Sequence, residues 1–267
     1  MIPRVLAIAG SDSGGGAGIQ ADIKTITLLG GHAMTALTAI TAQNTTGVSA
    51  VLAVPAETVI AQIDAVVWDI GVDAIKVGMI GSAETAHRVA ARLAQPDLAG
   101  VAIVLDPVMV ATSGAVLADA DTIAAFAALM RVATIVTPNA PELAVLAGLP
   151  VADETGMLAA ARTLAAAYGI RVLAKGGHLP GDAVVDLLVE GDGAPHRRGD
   201  ERIHTRSTHG TGCTLSSAVA TGLAAGLSAP NAVDQARAYV RAALLAAPGL
   251  GQGHGPLGHG LARAHFP

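Results

Sequence analysis

Five short runs of continuous apolar residues, at 5–9, 74–77, 101–105, 134–137 and 171–174, recur along the chain with longer amphipathic stretches between them. Unbroken rather than alternating hydrophobicity is what a strand needs when helices cover both of its faces. Helical spacing falls at about 19–29, 57–69, 83–94, 121–130 and 156–167. This β-α-β-α order predicts an α/β fold with a central, mostly parallel sheet flanked by helices. Residues 35–42 and 48–54 read as further extended segments near the first helix, and 183–189 and 203–205 as late, antiparallel strands. Two Ala-rich helices, about 211–225 and 229–246, complete the pattern, and the tail from Gly249, rich in Gly and His, reads as loop. With no long linker, repeat or heptad pattern, a single domain over 1–267 is expected.

Composition narrows the function classes. Of the 267 residues, 52% are hydrophobic and 14% charged, against roughly 25% charged in an average soluble domain. That is ample apolar surface to offset ordering entropy, so disorder is excluded. The chain has 16 basic and 21 acidic residues, a net charge of −5, and five aromatics. Nucleic-acid binding, which draws on a positive field and stacking surfaces, is therefore not expected. A mean hydropathy of +0.54 raises the question of a membrane. The uncharged stretch 33–56 is interrupted by Gln43, Asn44, Thr45, Thr46, Gly47 and Pro55, and 214–227 is short and rich in hydroxyls. Neither supplies the roughly 20 apolar residues of a span. The N-terminal run 5–9 is too short for the hydrophobic region of a signal peptide, about 7–15 residues, and reads as the first strand. The single cysteine, Cys213, makes neither an internal disulfide nor a Cys-based zinc site. A cytoplasmic, reducing compartment is expected.

In open parallel sheets, ligands bind at the carboxyl ends of the strands, and polar and glycine-rich segments cluster there. After the first strand comes Gly10-Ser11-Asp12-Ser13-Gly14-Gly15-Gly16-Ala17-Gly18. The next strand ends carry Asp106-Pro107-Val108-Met109, Pro138-Asn139-Ala140-Pro141-Glu142 and Lys175-Gly176-Gly177-His178. His209-Gly210-Thr211-Gly212-Cys213-Thr214 opens a helix, whose first N–H groups lack internal partners and suit phosphate or developing negative charge. Cys213 sits in that first turn, where the helix field favours thiolate; a buried small hydrophobe is its other reading.

Thirteen of the sixteen basic residues are arginine, so the three lysines stand out. Lys175, between an apolar strand and two glycines, is placed to reach phosphate oxygens; Lys24 and Lys76 receive no role. Asn139 and Glu142, three apart, read either as magnesium ligands with Asp106 nearby or, for Asn139, as a plain N-cap. The glycine loop is neither a Walker A motif nor an in-frame Gly-x-Gly-x-x-Gly, since Ile19 replaces the third glycine. Asp22 either points back over the site or is a solvated first-turn acid. His254, His259 and His265 in the tail read as loop solvation rather than a metal cluster.

Together these segments resemble the hydroxymethylpyrimidine/phosphomethylpyrimidine kinases of thiamine biosynthesis, within the ribokinase-like superfamily. The resemblance runs from end to end. It rests on the opening Ala9–Lys24 stretch, Ala42-Gln43-Asn44-Thr45, Lys76-Val77-Gly78-Met79, the strand-end motifs above, Thr208 through Thr214, and Gly253-His254-Gly255-Pro256. It implies a ribokinase-like three-layer α/β/α sandwich and ATP-dependent phosphorylation of 4-amino-5-hydroxymethyl-2-methylpyrimidine to the monophosphate and then the diphosphate. By the same resemblance Cys213 is the general base, and Gly210, Thr211 and Gly212 form the anion hole. Gln43, Asp22, Gly10, Met79 and Val108 bind the pyrimidine, while Lys175, Asn139 and Thr208 bind ATP. Asp106, Asn139 and Glu142 organise Mg2+. A homodimer is implied. Arg237 stands where relatives often carry lysine, which keeps the charge. Pyridoxine or pyridoxal kinase activity, or a non-catalytic ligand sensor on the same fold, are the alternatives.

Overall fold

The computed structural model describes residues 1–262, so His265 lies outside the described residues. The chain runs through β1 (Arg4–Asp12), α1 (Gly18–Leu28), β2 (His32–Asn44), β3 (Gly47–Ala53), α2 (Ala56–Asp69) and β4 (Ala74–Val77). Then follow α3 (Ala83–Leu93), β5 (Ala102–Leu105), α4 (Ala120–Met130), β6 (Ile135–Val136), α5 (Ala140–Ala147), α6 (Glu154–Tyr168) and β7 (Arg171–Lys175). The last elements are β8 (Ala183–Val189), β9 (His196–Glu201), α7 (Thr211–Ala224), α8 (Ala229–Leu245) and α9 (His259–Ala262). Among the described residues nine strands form one sheet in the order β3-β2-β1-β4-β5-β6-β7-β8-β9. It is parallel from β2 to β7 and antiparallel at both margins.

The apolar strands bury both faces, as their continuous hydrophobicity requires. Leu6, Ile8, Ile75, Leu105 and Val136 pack on one side against α2 to α6, with Phe126 of α4 wholly enclosed. Val5, Ala74, Val104, Ile135 and Leu173 face the other way, onto α1, α7, α8 and α9. The result is the three-layer α/β/α sandwich expected. Among the described residues no helix is long and apolar enough to cross a membrane.

Two expectations need correction. Residues 203–205 are not a strand; the final strand is β9, His196–Glu201. Its sequence is mostly charged because it forms the outer edge, where charge blocks further strand pairing, and apolar counting passes over such a segment. The tail is also less loop-like than its composition suggests, since α9 forms there and His259 is buried.

Helix ends set up the site. Ser82, Asp119, Asn139 and Asp153 each cap a following helix by accepting a backbone N–H. At α7, among the described residues, no side chain does so, and its N-cap is Gly210 in the left-handed region at φ 83°. The first turn of α7 therefore keeps N–H groups for something else. β1 lies where the strand order turns, with β2 on one side and β4 on the other, so a crevice opens above it.

Phe126→Ala tests the larger core. It should cost about 3–5 kcal/mol of unfolding free energy in urea titrations without altering ligand binding at the opposite end of the strands.

Candidate active site

The turn after β1 is built around one carboxylate. Asp12 Oδ1 accepts the Gly14 N–H at 2.8 Å, and Oδ2 accepts those of Gly16 and Ala17 at 2.9 and 2.8 Å. His209 Nε2, from the segment leading into α7, lies 2.8 Å from the same Oδ2. Burial opposes ionisation of Asp12, but His209 and the backbone donors outweigh it and hold the carboxyl below its ordinary range. The glycines let the two segments meet: a Cβ on Gly210 would strike the Gly16 carbonyl oxygen, and one on Gly16 would strike the His209 ring.

At the cavity floor lies a buried ion pair, of which Lys76 alone lines the cavity. Lys76 Nζ sits 2.9 and 3.0 Å from the two oxygens of Asp22, and Ser217 Oγ donates to Asp22 at 2.7 Å. Burial disfavours the ammonium, yet Asp22, Cys213 and Asp106 outweigh it and keep Lys76 charged. Asp22 therefore does not reach over the site, and it is no solvated first-turn acid either. It is fully buried and absent from the cavity wall, a correction to its expected place against the pyrimidine.

A second ion pair sits at the wall. Lys175 Nζ is 2.8 Å from Asp106 Oδ1, which also accepts from Thr137 Oγ1 at 3.0 Å. Gly212 faces this pair closely, its Cβ position 3.3 Å from Lys175 Nζ. Asn139 and Glu142 form a reciprocal capping box at the start of α5: Glu142 N donates to Asn139 Oδ1 and Asn139 N to Glu142 Oε2, at 2.9 and 2.8 Å. Asn139 is thus an N-cap, with its carbonyl oxygen occupied inside the protein. Burial raises Glu142 to about 7, with Lys175 opposing and Asp106 assisting. Among the described residues no cluster of three or more His, Cys, Asp or Glu forms a cage for a metal.

Cys213 stands in the first turn of α7 with the Gly18 N–H directed at its sulfur. The helix position favours thiolate, and burial acts against it. Burial pushes the thiol up to about 11, although Lys76 and the Gly18 N–H pull the other way. Thr211 turns its hydroxyl onto Thr208 O at 2.7 Å, leaving the backbone N–H groups of Gly212 and Cys213 as the donors of this turn.

These groups line one cavity of about 850 Å³. Following the strand order, Gln43, Gly10, Met79 and Val108 lie toward β2 and β5, Cys213 and Lys175 in the middle, and Val184, Val240 and Leu244 toward β8. Thr208, Asp106, Asn139 and Glu142 also face it. Of the residues expected in the site, then, Asp22 alone lies outside its wall. Sequence reasoning gave no role to Asp12, His209 or Lys76. The signal for Asp12 was an acid two positions ahead of a glycine run, a pattern that gathers backbone N–H groups.

The C-terminal tail closes the outside of the site. His209 N donates to Gly255 O at 3.1 Å, and His254 N to Thr45 O at 2.8 Å. His259 Nε2 lies 2.8 Å from Thr214 Oγ1 in the first turns of α7. Burial, with Lys24 nearby, lowers His259 to about 4, so this histidine is core rather than solvated loop.

The family model described as phosphomethylpyrimidine kinase matches residues 12–258. A hydroxymethylpyrimidine/phosphomethylpyrimidine kinase of Streptomyces coelicolor is 51% identical over 97% of this chain and 95% of its own. A thiamine biosynthesis bifunctional protein of Geobacter sulfurreducens is 49% identical over 97% of this chain, which spans 52% of that protein's length. The ADP complex of Bacillus subtilis pyridoxal kinase superposes with a TM-score of 0.89 at 34% identity, covering 99% of this chain and 100% of that one.

Two outcomes follow from the buried charges. Lys76→Met should cost about 3–5 kcal/mol in urea unfolding, because Asp22 is left unpaired, and Lys76→Met/Asp22→Leu should recover part of that loss. For His259, burial lowers the folded-state pKa, so its contribution is whole above about pH 6.5 and lost as pH falls toward 4. The stability of His259→Gln should accordingly decline less between pH 6.5 and 4.5 than that of the unaltered protein.

Proposed function

Since the chain belongs to the phosphomethylpyrimidine kinase family, we propose that it phosphorylates 4-amino-5-hydroxymethyl-2-methylpyrimidine with ATP. The monophosphate and then the diphosphate are the products, and the role is in thiamine biosynthesis. The observation that carries this reading is the uncapped start of α7. Its free N–H groups, the Cys213 sulfur and the Lys175 ammonium face one cavity together with the Gln43 amide.

Phosphoryl transfer asks the protein mainly for position and for stabilisation of charge on the transferring group. The Gly212 and Cys213 N–H groups, at the positive end of α7, supply fixed donors for that charge, with Gly210 and Thr211 shaping the turn. Lys175 adds a positive charge beside them, held by Asp106. Cys213 accepts the proton of the substrate hydroxymethyl. A thiol at about 11 is a scarce thiolate at neutral pH but a strong base once formed, and a loose transition state needs the proton removed late. Gln43 supplies donor and acceptor to the aminopyrimidine edge, and Met79 and Val108 the apolar walls. Thr208 faces the nucleotide side of the anion turn, and the apolar end at Val184, Val240 and Leu244 suits a base ring.

Magnesium ordinarily takes one or two carboxylates together with substrate phosphates and keeps several waters. Asp106 and Glu142, both under the influence of Lys175, fit that requirement, and Asn139 remains the cap of α5. When bound, the ion would neutralise charge on the nucleotide phosphates. Phosphorylation of pyridoxal is the second reading, favoured by the close superposition on the Bacillus subtilis enzyme. A homodimer in a cytoplasmic setting belongs to the same proposal.

Phosphorus NMR of a reaction with ATP and the pyrimidine alcohol should show the monophosphate followed by the diphosphate. No turnover above background overturns the proposal, and a higher kcat/KM for pyridoxal transfers it to the second reading. Cys213→Ala should lower kcat by about 10²–10⁴-fold with pyrimidine KM nearly unchanged; a rate near that of the unaltered protein refutes the base assignment.

A further inference from the structure

We propose that Thr41 and His209 together fix the direction of the Gln43 amide, so that its carbonyl oxygen faces His209 and its NH2 faces Thr41. Thr41 is thereby a positioning residue for recognition of the pyrimidine. The inference rests on the reading that Gln43 meets the pyrimidine, and it adds which ring edge Gln43 selects.

The two ends of a side-chain amide are alike in shape, so the hydrogen-bond partners decide which is which. The Gln43 carbonyl oxygen stands 3.1 Å from Thr41 Oγ1 and the amide nitrogen 3.4 Å from His209 Nε2, but the donors and acceptors around them favour the reverse. Thr41 is buried, and its hydroxyl donates to the Ser11 carbonyl oxygen at 2.8 Å. A hydroxyl has one proton, and a carbonyl oxygen can only accept. Toward Gln43, then, Thr41 Oγ1 presents lone pairs and asks for a donor, the NH2.

The other end gives the same answer independently. Asp12 accepts three backbone N–H bonds on its two carboxylate oxygens, so it is an acceptor on every side. His209 Nε2, 2.8 Å from Asp12 Oδ2, must carry its hydrogen. This holds for neutral imidazole in that tautomer and for imidazolium alike. With an N–H at Nε2, the Gln43 atom on that side must be the carbonyl oxygen, taking the longer leg of a shared hydrogen bond. With the oxygen left at Thr41, donor would face donor at His209 and acceptor would face acceptor at Thr41. Two contacts from different elements, β2 and the segment before α7, select a single direction.

The consequence is a reading frame for the ring. The amide oxygen keeps a second lone pair, and the NH2 a second hydrogen, for a ligand. An amide so held pairs with an edge that carries an amino donor beside a ring-nitrogen acceptor, as glutamine does with adenine. The amino group lies toward His209 and the ring nitrogen toward Thr41. A ring with an oxo group beside a ring N–H presents the reverse pattern and would need the amide turned over, against both contacts.

The test compares kcat/KM for the aminopyrimidine alcohol with that for its 4-oxo analogue. The unaltered protein should favour the amino ring by about 100-fold or more. Thr41→Val, which removes the lone pairs, should reduce that preference by about tenfold, through the pyrimidine KM and not the ATP KM. Thr41→Ser, which retains the hydroxyl, should keep it within about threefold. An unchanged preference in Thr41→Val, with Gln43→Ala raising the pyrimidine KM, overturns the proposal while leaving Gln43 as the reader. A Gln43→Ala variant with unaltered pyrimidine KM overturns the reading of Gln43 itself and the proposal with it. A second measurement needs no turnover: in the ligand-free labelled protein, the Gln43 NH2 protons should show nuclear Overhauser contacts to the Thr41 methyl. Contacts to the His209 ring instead overturn the assignment.

Discussion

The Asp12 carboxylate is the interaction on which the site depends. A buried acid is costly unless hydrogen bonds replace its lost water, and Asp12 obtains them from two sequence-distant pieces of chain. Backbone donors come from Gly14, Gly16 and Ala17, and the ring donor from His209. Meeting that one requirement draws the turn after β1 against the start of α7. The Gln43 end of the cavity and the first turn of α7 are thus joined through a single side chain. The glycines are a consequence of this closeness, since Gly16 and Gly210 lie where any side chain would collide with the opposing segment.

Below the latch, charge is used differently. Lys76 and Asp22 neutralise each other away from solvent, and Lys175 and Asp106 do so at the cavity wall. The deeper pair is buried, with Lys76 at the cavity wall and Asp22 behind it, and it sets the field in which Cys213 sits. The wall pair can exchange partners, because phosphate oxygens offer Lys175 what Asp106 now provides. Glu142, balanced near neutrality by burial and by Lys175, belongs to the same adjustable layer.

Much of the fold was legible in the sequence because strands covered on both faces must be continuously apolar, and 74–77 and 171–174 announce themselves on that ground. β9 was not, since an edge strand carrying His196, Arg197, Arg198 and Asp200 is shaped by what it must repel. In the site, Lys175 and Gly212 were readable from strand-end and helix-start motifs and Gln43 from the family resemblance, and all three line the cavity. Residues whose partners are other side chains were harder. Asp22 was expected beside the pyrimidine because nothing local discloses that Lys76, 54 positions away, takes its charge. Cys213 was expected to lean toward thiolate from its helix position, yet burial, a tertiary property, outweighs the helix end. His259 was read as loop for the same reason.

The tail that braces the site also sets a schedule. Residue 12 is synthesised 197 positions before its partner His209, and the Gly255 carbonyl that holds His209 in place follows later still. At synthesis rates of about 5–20 residues per second, the loop after β1 waits on the order of ten seconds or more for them. Through that interval Asp12 has its local backbone donors but not the His209 ring. The first strands and helices can therefore form before the turn after β1 is closed against the start of α7. That side of the cavity is completed only when the segment from His209 to Gly255 crosses over.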